Sequence, residues 1–227
     1  MPGALVVVAT PIGNLKDISL RAIEELKSVD LIACEDTRHS GILLKAHGIT
    51  TPTTSYHSYS SEAKGARLVE QLQAGKRIAL ISDAGLPGIS DPGTALIQDA
   101  IEAGVAVTVV PGATAALAAL VLSGFPTDRF AFEGFLPVKS GARRTKLESL
   151  REETRTVVVY ESPHRLTKTL ADIEAVFGDV PLSVSRELTK HFEETRREPV
   201  SRLREHFEAH APRGEFVIVL PPKRLRG

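Results

Sequence analysis

Short apolar runs and amphipathic stretches alternate through the first half of the chain. Four runs are apolar at nearly every position: 4–9, 31–34, 77–81 and 105–110. Such runs are typical of strands that are covered on both faces. The stretches between them have helical periodicity. Ser19 is placed to cap the first helix, and other helical stretches are followed by glycines that can close a last turn, at Gly48, Gly75 and Gly104. The pattern predicts an α/β domain with a largely parallel sheet.

The pattern changes after Gly124. An aromatic stretch, FAFEGFLP, precedes the polar and basic segment VKSGARRTKLESLREETR, and an apolar run resumes at 156–160. The next helix is predicted to start with Ser162 as N-cap and Pro163 in its first turn, and to end at Gly178. The strands LSVSRE and EFVIVL, with FEETRRE as a further candidate, complete a second unit whose polar alternation favours antiparallel pairing. We therefore predict two α/β domains, residues 1–115 and 116–227.

The composition is that of an ordinary globular protein. Charged residues make up 25% and hydrophobic residues 42% of the 227, and 28 Lys and Arg balance 28 Asp and Glu. A balanced charge means that binding to nucleic acid or to an anionic membrane would need a local patch. The single cysteine, Cys34, excludes an intrachain disulfide and a cysteine-ligated zinc site; we interpret it as a core residue. The longest apolar stretch, 115–122, is too short to span a membrane and predicts a buried helix. The first residues lack the pattern of an export signal, so we expect a cytoplasmic protein.

Four loops that follow predicted strands have unusual compositions: TPIGNL (10–15), EDTRHS (35–40), SDAGLPGISDPG (82–93) and PGATAA (111–116). Ligands of open α/β sheets bind beyond the carboxyl ends of strands, and glycine lets the backbone approach a ligand closely. Neither a phosphate-binding G-x-x-x-x-G-K-[ST] nor a dinucleotide-binding G-x-G-x-x-G is present. The seven histidines lack metal-ligand spacing, and we interpret His57 as a loop or surface residue. The loops suit a ligand with an adenine, a ribose and a small zwitterion, with Asp83 on hydroxyls or an ammonium group; a tight strand-to-helix loop explains the glycines equally well.

Eight segments in order carry a resemblance to a known family: LVVVATPIGNLKDIS, ACEDTRHSGILL, SDAGLPGISDPG, VVPGATAALAAL, FEGFLP, VYESPHRL, SRELTKHFEE and GEFVIVL. The chain resembles the bacterial ribosomal RNA small-subunit methyltransferase I family, within the tetrapyrrole methylase superfamily, from about Leu5 to Leu220. The resemblance implies two α/β domains of tetrapyrrole-methylase type, with S-adenosylmethionine in the cleft between them, and a homodimer. It also implies methyl transfer to the ribose 2′-hydroxyl of a cytidine in the decoding region of small-subunit RNA.

The resemblance further implies a cofactor wall and a set of catalytic candidates. The wall consists of Thr10, Pro11, Asp83, Ala84, Gly85, Leu86, Gly112, Ala113 and Thr114, with Leu136 and Phe216 from the second domain. The catalytic candidates are polar residues at strand ends or helix starts: Asp36, Arg38, Glu161, Arg165, Glu187 and Lys190. The base that removes the hydroxyl proton stays open among Glu35, Asp36, Glu161, His164, Glu187 and Lys190. For Glu161 and Arg165, helix-start electrostatics is an equal alternative.

Binding of RNA would use local positive charge. We expect phosphate contacts from Arg38, Arg165, Arg186 and Lys190, and from the basic run Lys139, Arg143, Arg144 and Lys146. The alternative for that run is a solvated helix face. Only Tyr56, Tyr59 and Phe135 offer aromatic rings near plausible loops, so a folded RNA or an assembled subunit is the expected partner. Two other functions stay open. One is a tetrapyrrole methyltransferase, although the first loop is less Gly-rich and the second longer than is usual there; the other is a catalytically silent RNA-binding module.

Overall fold

The computed structural model describes residues 3–57, 62–91 and 93–226. The chain divides into two compact units, Met1–Thr114 and Ala115–Gly227. In the described residues, each unit is built on one five-stranded sheet with helices packed against it. The predicted α/β class is confirmed.

The first unit has a wholly parallel sheet in the order β3-β2-β4-β1-β5. Its strands are β1 (Ala4–Val8), β2 (Leu31–Cys34), β3 (Thr53–Ser55), β4 (Arg77–Leu80) and β5 (Ala106–Val110). Its helices are α1 (Leu20–Ser28), α2 (Thr37–Ala46), α3 (Glu62–Gln73) and α4 (Thr94–Glu102), with a 3-10 turn at Leu15–Asp17. Ser19 caps α1 as predicted, since its hydroxyl accepts from the Ala22 N–H at 3.1 Å. The three glycines predicted to close helices all have positive φ.

Both faces of this sheet are covered at its centre. Val6 and Val8 of β1 point to the face on which Leu26 of α1 and Leu43 of α2 pack. Leu5 points to the other face, where α3 and α4 contribute Leu68, Leu72, Leu96 and Ala100. This alternation explains why the central strands are apolar at nearly every position. The edge strand β5 differs, because Val109 is 50% exposed. For β5 the prediction of two covered faces is wrong, because the described helices cover only part of this edge strand: α4 contacts it and Val107 packs there, whereas Ala106, Thr108 and Val109 are exposed.

The second unit has a mixed sheet in the order β6-β7-β10-β8-β9. Its strands are β6 (Phe130–Phe135), β7 (Thr156–Glu161), β8 (Pro181–Arg186), β9 (Glu194–Pro199) and β10 (Phe216–Leu220). Its helices are α5 (Ala115–Ser123), α6 (Ser140–Ser149), α7 (Leu166–Phe177) and α8 (Val200–Ala209), and a 3-10 turn covers Lys223–Leu225. The predicted antiparallel pairing is confirmed for β7, β10, β8 and β9. The pair β6–β7 is parallel.

The helices of the second unit lie on both faces of its sheet. Leu147 of α6, Leu170 of α7 and Leu203 of α8 share one core with Val157 and Val159 of β7. Helix α5 contacts β7, β8 and β10, and alternation along β7 assigns it the opposite face. The prediction that 115–122 is a buried helix holds for one side only, because Leu117 is 45% and Val121 72% exposed. Its apolar residues continue around the helix, whereas only one side of a helix can face a sheet.

Helix α7 begins later than predicted. Residues Pro163 to Arg165 form a turn, in which the N–H groups of Arg165 and Leu166 both donate to the Ser162 carbonyl. The helix N-cap is Arg165, and the Ser162 side chain does not cap it. The Glu161 carboxylate holds this turn in place, because it accepts both the Ser162 N–H at 2.8 Å and the Thr169 hydroxyl of α7 at 2.5 Å. The predicted end at Gly178 is confirmed.

Candidate functional site

The carboxyl ends of the first unit's strands meet at one edge, because all five strands run in the same direction. The loops after β1, β2, β4 and β5 therefore lie along this edge, and they are the four loops with unusual composition. Of the expected cofactor wall, the edge carries Thr10, Pro11, Asp83, Ala84, Gly85, Leu86, Gly112, Ala113 and Thr114. In a sheet of this kind such an edge is where ligands bind.

Thr10 joins two of these loops. Its N–H donates to the Gly85 carbonyl at 2.9 Å, and the Gly85 N–H donates back to the Thr10 carbonyl at 3.2 Å. The Thr10 hydroxyl donates to the carbonyls of Ser82, at 3.1 Å, and Gly85, at 3.3 Å. Thr10 is only 2% exposed, so its side chain is a cross-link between the loops after β1 and β4. A ligand at this part of the wall would therefore contact backbone N–H and C=O groups and not the Thr10 side chain.

The loop after β5 approaches β1 very closely. A Cβ on Gly112 would lie 2.9 Å from the Cβ of Ala9, which real side chains do not tolerate. Glycine at this position lets the PGATAA backbone sit against the end of β1. Gly112 is itself exposed, as is Ala84 in the neighbouring loop. The edge thus presents backbone N–H and C=O groups of two loops to solvent, which suits recognition of an adenine or an amino-acid group.

Four carboxylates gather at the ends of β2 and β4: Glu35, Asp36, Asp83 and Asp91. The Asp36 N–H donates to Asp83 Oδ1 at 3.3 Å. Burial, followed by the charge of Asp83, raises the pKa of Glu35. Burial raises the pKa of Asp91 to about 7, with smaller contributions from Glu35 and Asp83 and an opposing hydrogen bond from Ser82. Oδ1 of Asp91 is buried and has no hydrogen-bond partner. Asp91 therefore changes its protonation near neutral pH.

Asp36 and Arg38 form a local pair. The Asp36 carboxylate accepts from the Arg38 N–H at 2.8 Å and from the guanidinium Nη2 at 2.9 Å. These hydrogen bonds lower the pKa of Asp36 to about 2, so it is a weak base. Asp36 is the N-cap of α2, and the Arg38 side chain is 90% exposed. Asp36 has a capping role, and Arg38 remains accessible to an anionic ligand.

The second unit also has an edge rich in candidate residues. Phe216 at the start of β10 is in register with Glu161 at the end of β7 and with Arg186 at the end of β8. Arg186 in turn faces Glu194 on β9, and their side chains form an ion pair at 2.8 Å. The structure thus brings the second-domain candidates to one end of one sheet: Leu136, Glu161, Arg165, Arg186, Glu187, Lys190 and Phe216.

The Glu161 carboxylate is buried and makes its contacts with neighbouring residues of this edge. Its carboxylate accepts from the Ser162 N–H at 2.8 Å and from the Thr169 hydroxyl at 2.5 Å, and it lies 3.2 Å from Nε of Arg165. Arg165 also donates to the Leu136 carbonyl at 2.6 Å. The pair links the β6–α6 loop to the turn before α7, so this arrangement favours the structural alternative for Glu161. The side chains of Leu136 and Phe216 are 2% exposed core residues, and a ligand could reach only their backbone.

Glu187 and Lys190 form a further ion pair at this edge, with 3.0 Å between Nζ and Oε1. Burial opposes the charge of each group, but hydrogen bonds with Lys190 and with the Glu215 N–H lower the pKa of Glu187. The carboxylates of Glu215 and Glu187 likewise outweigh burial and raise the pKa of Lys190. Glu187 is therefore a weaker base than an ordinary glutamate, and Lys190 holds its proton more tightly than an ordinary lysine.

The comparisons with known proteins agree with this geometry. A family model described as tetrapyrrole (corrin/porphyrin) methylases matches residues 4–204. The chain is 50% identical over 219 residues to "Ribosomal RNA small subunit methyltransferase I" of Synechocystis sp., which covers 96% of this chain and 78% of the relative. It is 44% identical over 221 residues to the protein of the same name from Thermotoga maritima, with coverage of 97% and 99%.

The chain belongs to the tetrapyrrole methylase family, in its ribosomal RNA small subunit methyltransferase I group. Solved structures share the fold of this tetrapyrrole methylase. Uroporphyrin-III-C-methyltransferase from Thermus thermophilus matches with a TM-score of 0.65 and 21% identity, covering 98% of this chain and 96% of that one. A diphthine synthase matches with a TM-score of 0.71 and 15% identity, covering 96% and 89%. At such identities the likeness describes the fold alone.

The basic run of this tetrapyrrole methylase is less accessible than expected. Arg143 is 3% exposed and bound to Asp172, with Nε to Oδ2 at 2.7 Å. Arg144 also contacts Asp172 but keeps 55% of its side chain exposed, and Lys146 pairs with Glu133 at 2.6 Å. The expectation that Arg143 contacts phosphate is wrong, because its side chain is buried against α7 and paired there with Asp172. Lys139 and Arg144 are the exposed members of the run.

The remaining candidates are scattered. Tyr56 is 8% exposed and lies in the first unit's core, which excludes it as a stacking ring, and Tyr59 lies outside the described residues. Phe135 is 54% exposed and contacts the edge of Tyr160. His164 lies exposed in the turn before α7. Cys34 is a fully buried core residue, as interpreted.

The prediction omitted two residues that the structure makes prominent. Asp91 lies in the quoted SDAGLPGISDPG loop, and the signal for it was the second S-D pair, which repeats the pair at Asp83. Phe192 was read as part of a strand, whereas it lies 66% exposed between β8 and β9. Within the described ranges, no group of three or more metal-ligating side chains is arranged to hold an ion, and no helix is long and apolar enough to cross a membrane.

Proposed function

We propose that this protein transfers a methyl group from S-adenosylmethionine to the ribose 2′-hydroxyl of a cytidine in the decoding region of 16S ribosomal RNA. The observation that carries the proposal is identity of 44–50%, over nearly the whole chain, to proteins named ribosomal RNA small subunit methyltransferase I. The acceptor is the small-subunit RNA, within the assembled subunit, and the enzyme acts as a homodimer in the bacterial cytoplasm.

The first unit's carboxyl edge fits S-adenosylmethionine. The exposed backbone around Ala84 and Gly112 supplies donors and acceptors for the adenine edge and the amino-acid group. Asp83, half-buried beside Asp36, supplies a carboxylate for the ribose hydroxyls or the ammonium group. The buried Oδ1 of Asp91 accepts no hydrogen bond and is free to take one from a ligand. S-adenosylmethionine supplies an electrophilic methyl group when bound.

The chain's own task is to orient the hydroxyl and remove its proton. Asp36 is held as an N-cap, Glu161 by Ser162 and Thr169, and Glu187 by Lys190. A base works best when its pKa is close to the working pH. Of the carboxylates at the ends of β2 and β4, Asp91 combines a pKa raised to about 7 with a buried Oδ1 that has no hydrogen-bond partner, and burial raises the pKa of Glu35 as well. We infer that the proton acceptor is one of these two carboxylates.

The RNA side of the proposal rests on exposed cations. Arg38 in the first unit and Lys139 and Arg144 in the second are exposed and can contact phosphates. Such contacts make binding dependent on salt and fix orientation, but they do not read sequence. Selection of one cytidine would come from the shape of the folded RNA around it.

The test is a comparison of acceptors with labelled S-adenosylmethionine. Small subunits from cells that lack the activity, naked 16S RNA and a uroporphyrinogen-type tetrapyrrole are incubated with the enzyme, and label in each is counted. We expect transfer to the subunits and none to the tetrapyrrole. Transfer to the tetrapyrrole alone would replace the proposal by the other open enzymatic function. Failure to bind S-adenosylmethionine at all would favour a silent RNA-binding module.

A further inference from the structure

The connection between β8 and β9 has an unusual backbone. Two residues that are not glycine, Glu187 with φ of 48° and Thr189 with φ of 67°, adopt left-handed conformations. Such conformations are unfavourable for residues with a side chain, and they persist where the surrounding structure imposes them. This connection spans residues 187–193, and it follows β8 at the edge that carries Glu161 and Arg165.

Several contacts hold the connection in this shape. The Glu187 carboxylate accepts from the Lys190 ammonium at 3.0 Å and from the Glu215 N–H at 3.0 Å. Lys190 also contacts the Glu215 carboxylate at 2.9 Å. Gly214 leaves the space that this carboxylate fills, because a Cβ there would overlap Glu187. The connection is thereby fastened at its base to the start of β10.

The far part of the connection is closed by its own hydrogen bonds. The Thr189 N–H donates to the Glu193 carboxylate at 2.6 Å, and the Glu193 N–H donates to the Lys190 carbonyl at 3.2 Å. His191 and Phe192 lie between these contacts and are both exposed. The geometry therefore presents two rings at the tip of a segment whose shape is fixed without them.

Phe192 is the most exposed of the eight phenylalanines, with 66% of its surface in solvent. Its ring meets that of His191 edge-on, with 4.8 Å between the ring centroids. Phe207 and Phe216 of the same unit are instead buried and packed on each other. A phenylalanine that contributes so little to the core, on a segment held so firmly, is suited to contact a ligand.

We propose that Phe192 is a stacking platform for an unpaired base of the RNA substrate, held in place by the 187–193 connection before RNA binds. The inference rests on the proposed function. The charged groups of the connection are Glu187, Lys190 and Glu193, and Lys190 also pairs with Glu215, so the connection carries no excess positive charge to attract phosphate. What it offers is an aromatic face, and every base can stack on one. A second copy of this chain is the competing occupant.

The test compares Phe192→Ala, Phe192→Leu and Phe192→Tyr with the native enzyme and with Leu20→Ala. Leu20 is 80% exposed at the start of α1 and serves as the matched control for loss of an exposed apolar side chain. Four quantities are measured: KM and kcat for small ribosomal subunits, equilibrium binding of those subunits at several salt concentrations, affinity for S-adenosylmethionine, and oligomeric state.

We expect Phe192→Ala to raise KM and the subunit dissociation constant roughly 5- to 100-fold, as loss of one base–aromatic stack does. The Leu variant should behave like Ala and the Tyr variant like the native enzyme, because the ring is what matters. The salt dependence, S-adenosylmethionine affinity and Leu20→Ala kinetics should not change. Native KM in the Ala variant would overturn the platform while the proposed function stands. A change of oligomeric state in Phe192→Ala would assign the ring to a second copy. Native enzyme that neither binds nor methylates subunits would overturn both proposals.

Discussion

Asp172→Asn should strongly destabilise the second unit. Asp172 on α7 accepts from Arg143 Nε at 2.7 Å, from Arg144 Nε at 2.6 Å and from the Ser140 hydroxyl at 3.0 Å. The side chains of Arg143 and Asp172 are 3% and 4% exposed, so the pair is shielded from water. Removing the negative charge leaves the Arg143 guanidinium buried without a counter-charge, although it keeps contacts with the carbonyls of Pro137 and Val138.

Breaking a buried ion pair from one side costs about 3–5 kcal/mol. For a chain of this size, each kcal/mol lowers the melting temperature by about 2–4 °C, so we expect a decrease of roughly 6–20 °C. The free energy of unfolding is measured by urea denaturation followed by circular dichroism, at pH 7.5. Glu205→Gln is the matched control. Glu205 pairs with Arg202, both side chains are about two-thirds exposed, and such exposed pairs contribute at most about 1 kcal/mol.

A second variant separates burial from simple loss of contacts. Arg143→Met combined with Asp172→Leu replaces both charges with apolar groups, and it should recover much of the stability lost in Asp172→Asn. If Asp172→Asn unfolds within about 1 kcal/mol of the native protein, the argument that α6 is held on α7 by this buried pair is wrong.

Three further predictions concern the first unit and the RNA surface. Because burial raises the pKa of Asp91 to about 7, the folded state binds this proton more tightly than the unfolded state, and the resulting stability is full below about pH 4 and is lost as pH rises through 7. Between pH 5 and 8 the free energy of unfolding should therefore fall by about 1–2 kcal/mol less in Asp91→Asn than in the native protein, a figure that is reduced for partial exposure of Asp91. Urea titrations at both pH values measure this difference, and an equal fall in the two proteins would contradict burial as the cause of the raised pKa. Thr10→Val removes the hydroxyl bonds to Ser82 and Gly85, so we expect a loss of about 1–2 kcal/mol of stability and weaker binding of S-adenosylmethionine by calorimetry; unchanged values of both would show that the Thr10 hydroxyl does not matter to the loops. Lys139→Glu should weaken binding of small subunits and reduce the slope of log K against log salt concentration by about one. Binding measured at several salt concentrations checks this, and an unchanged slope would show that Lys139 does not contact the RNA.

Apolar periodicity was enough to predict the elements that form the two cores. Strands such as β1 and β4 are apolar at nearly every position because both faces are covered, and a capping serine or closing glycine marks several helix ends. The same signal cannot show which strand lies at an edge. For that reason β5 was expected to be covered, although Val109 is half exposed.

Side-chain pairing was the main feature that sequence could not supply. Arg143 looks like its exposed neighbours Lys139 and Arg144 in a basic run, and its burial follows from Asp172, which lies 29 residues away in sequence. The later start of α7 likewise follows from the Glu161 carboxylate, which binds the Thr169 hydroxyl eight residues further along as well as the Ser162 N–H. These outcomes are set by tertiary contacts, which local propensity does not encode.

The candidate site was predictable in its location but less so in its roles. Loop composition and strand order placed Asp83 and Gly112 at the carboxyl edge of a parallel sheet, where the structure has them. The weak basicity of Asp36 and the raised pKa of Asp91 arise from hydrogen bonds and burial that appear only in three dimensions. The exposure of Phe192 is of the same kind.

The most direct test of the central claim is to map the product. Small subunits from cells that lack this activity are treated with the enzyme and S-adenosylmethionine, and their RNA is digested and analysed by mass spectrometry. The account predicts one additional methyl group, on the ribose of a single cytidine in the decoding region, and its absence when the cofactor is omitted. A methyl group on a base, on another nucleotide, or on no RNA at all despite bound S-adenosylmethionine would contradict the account.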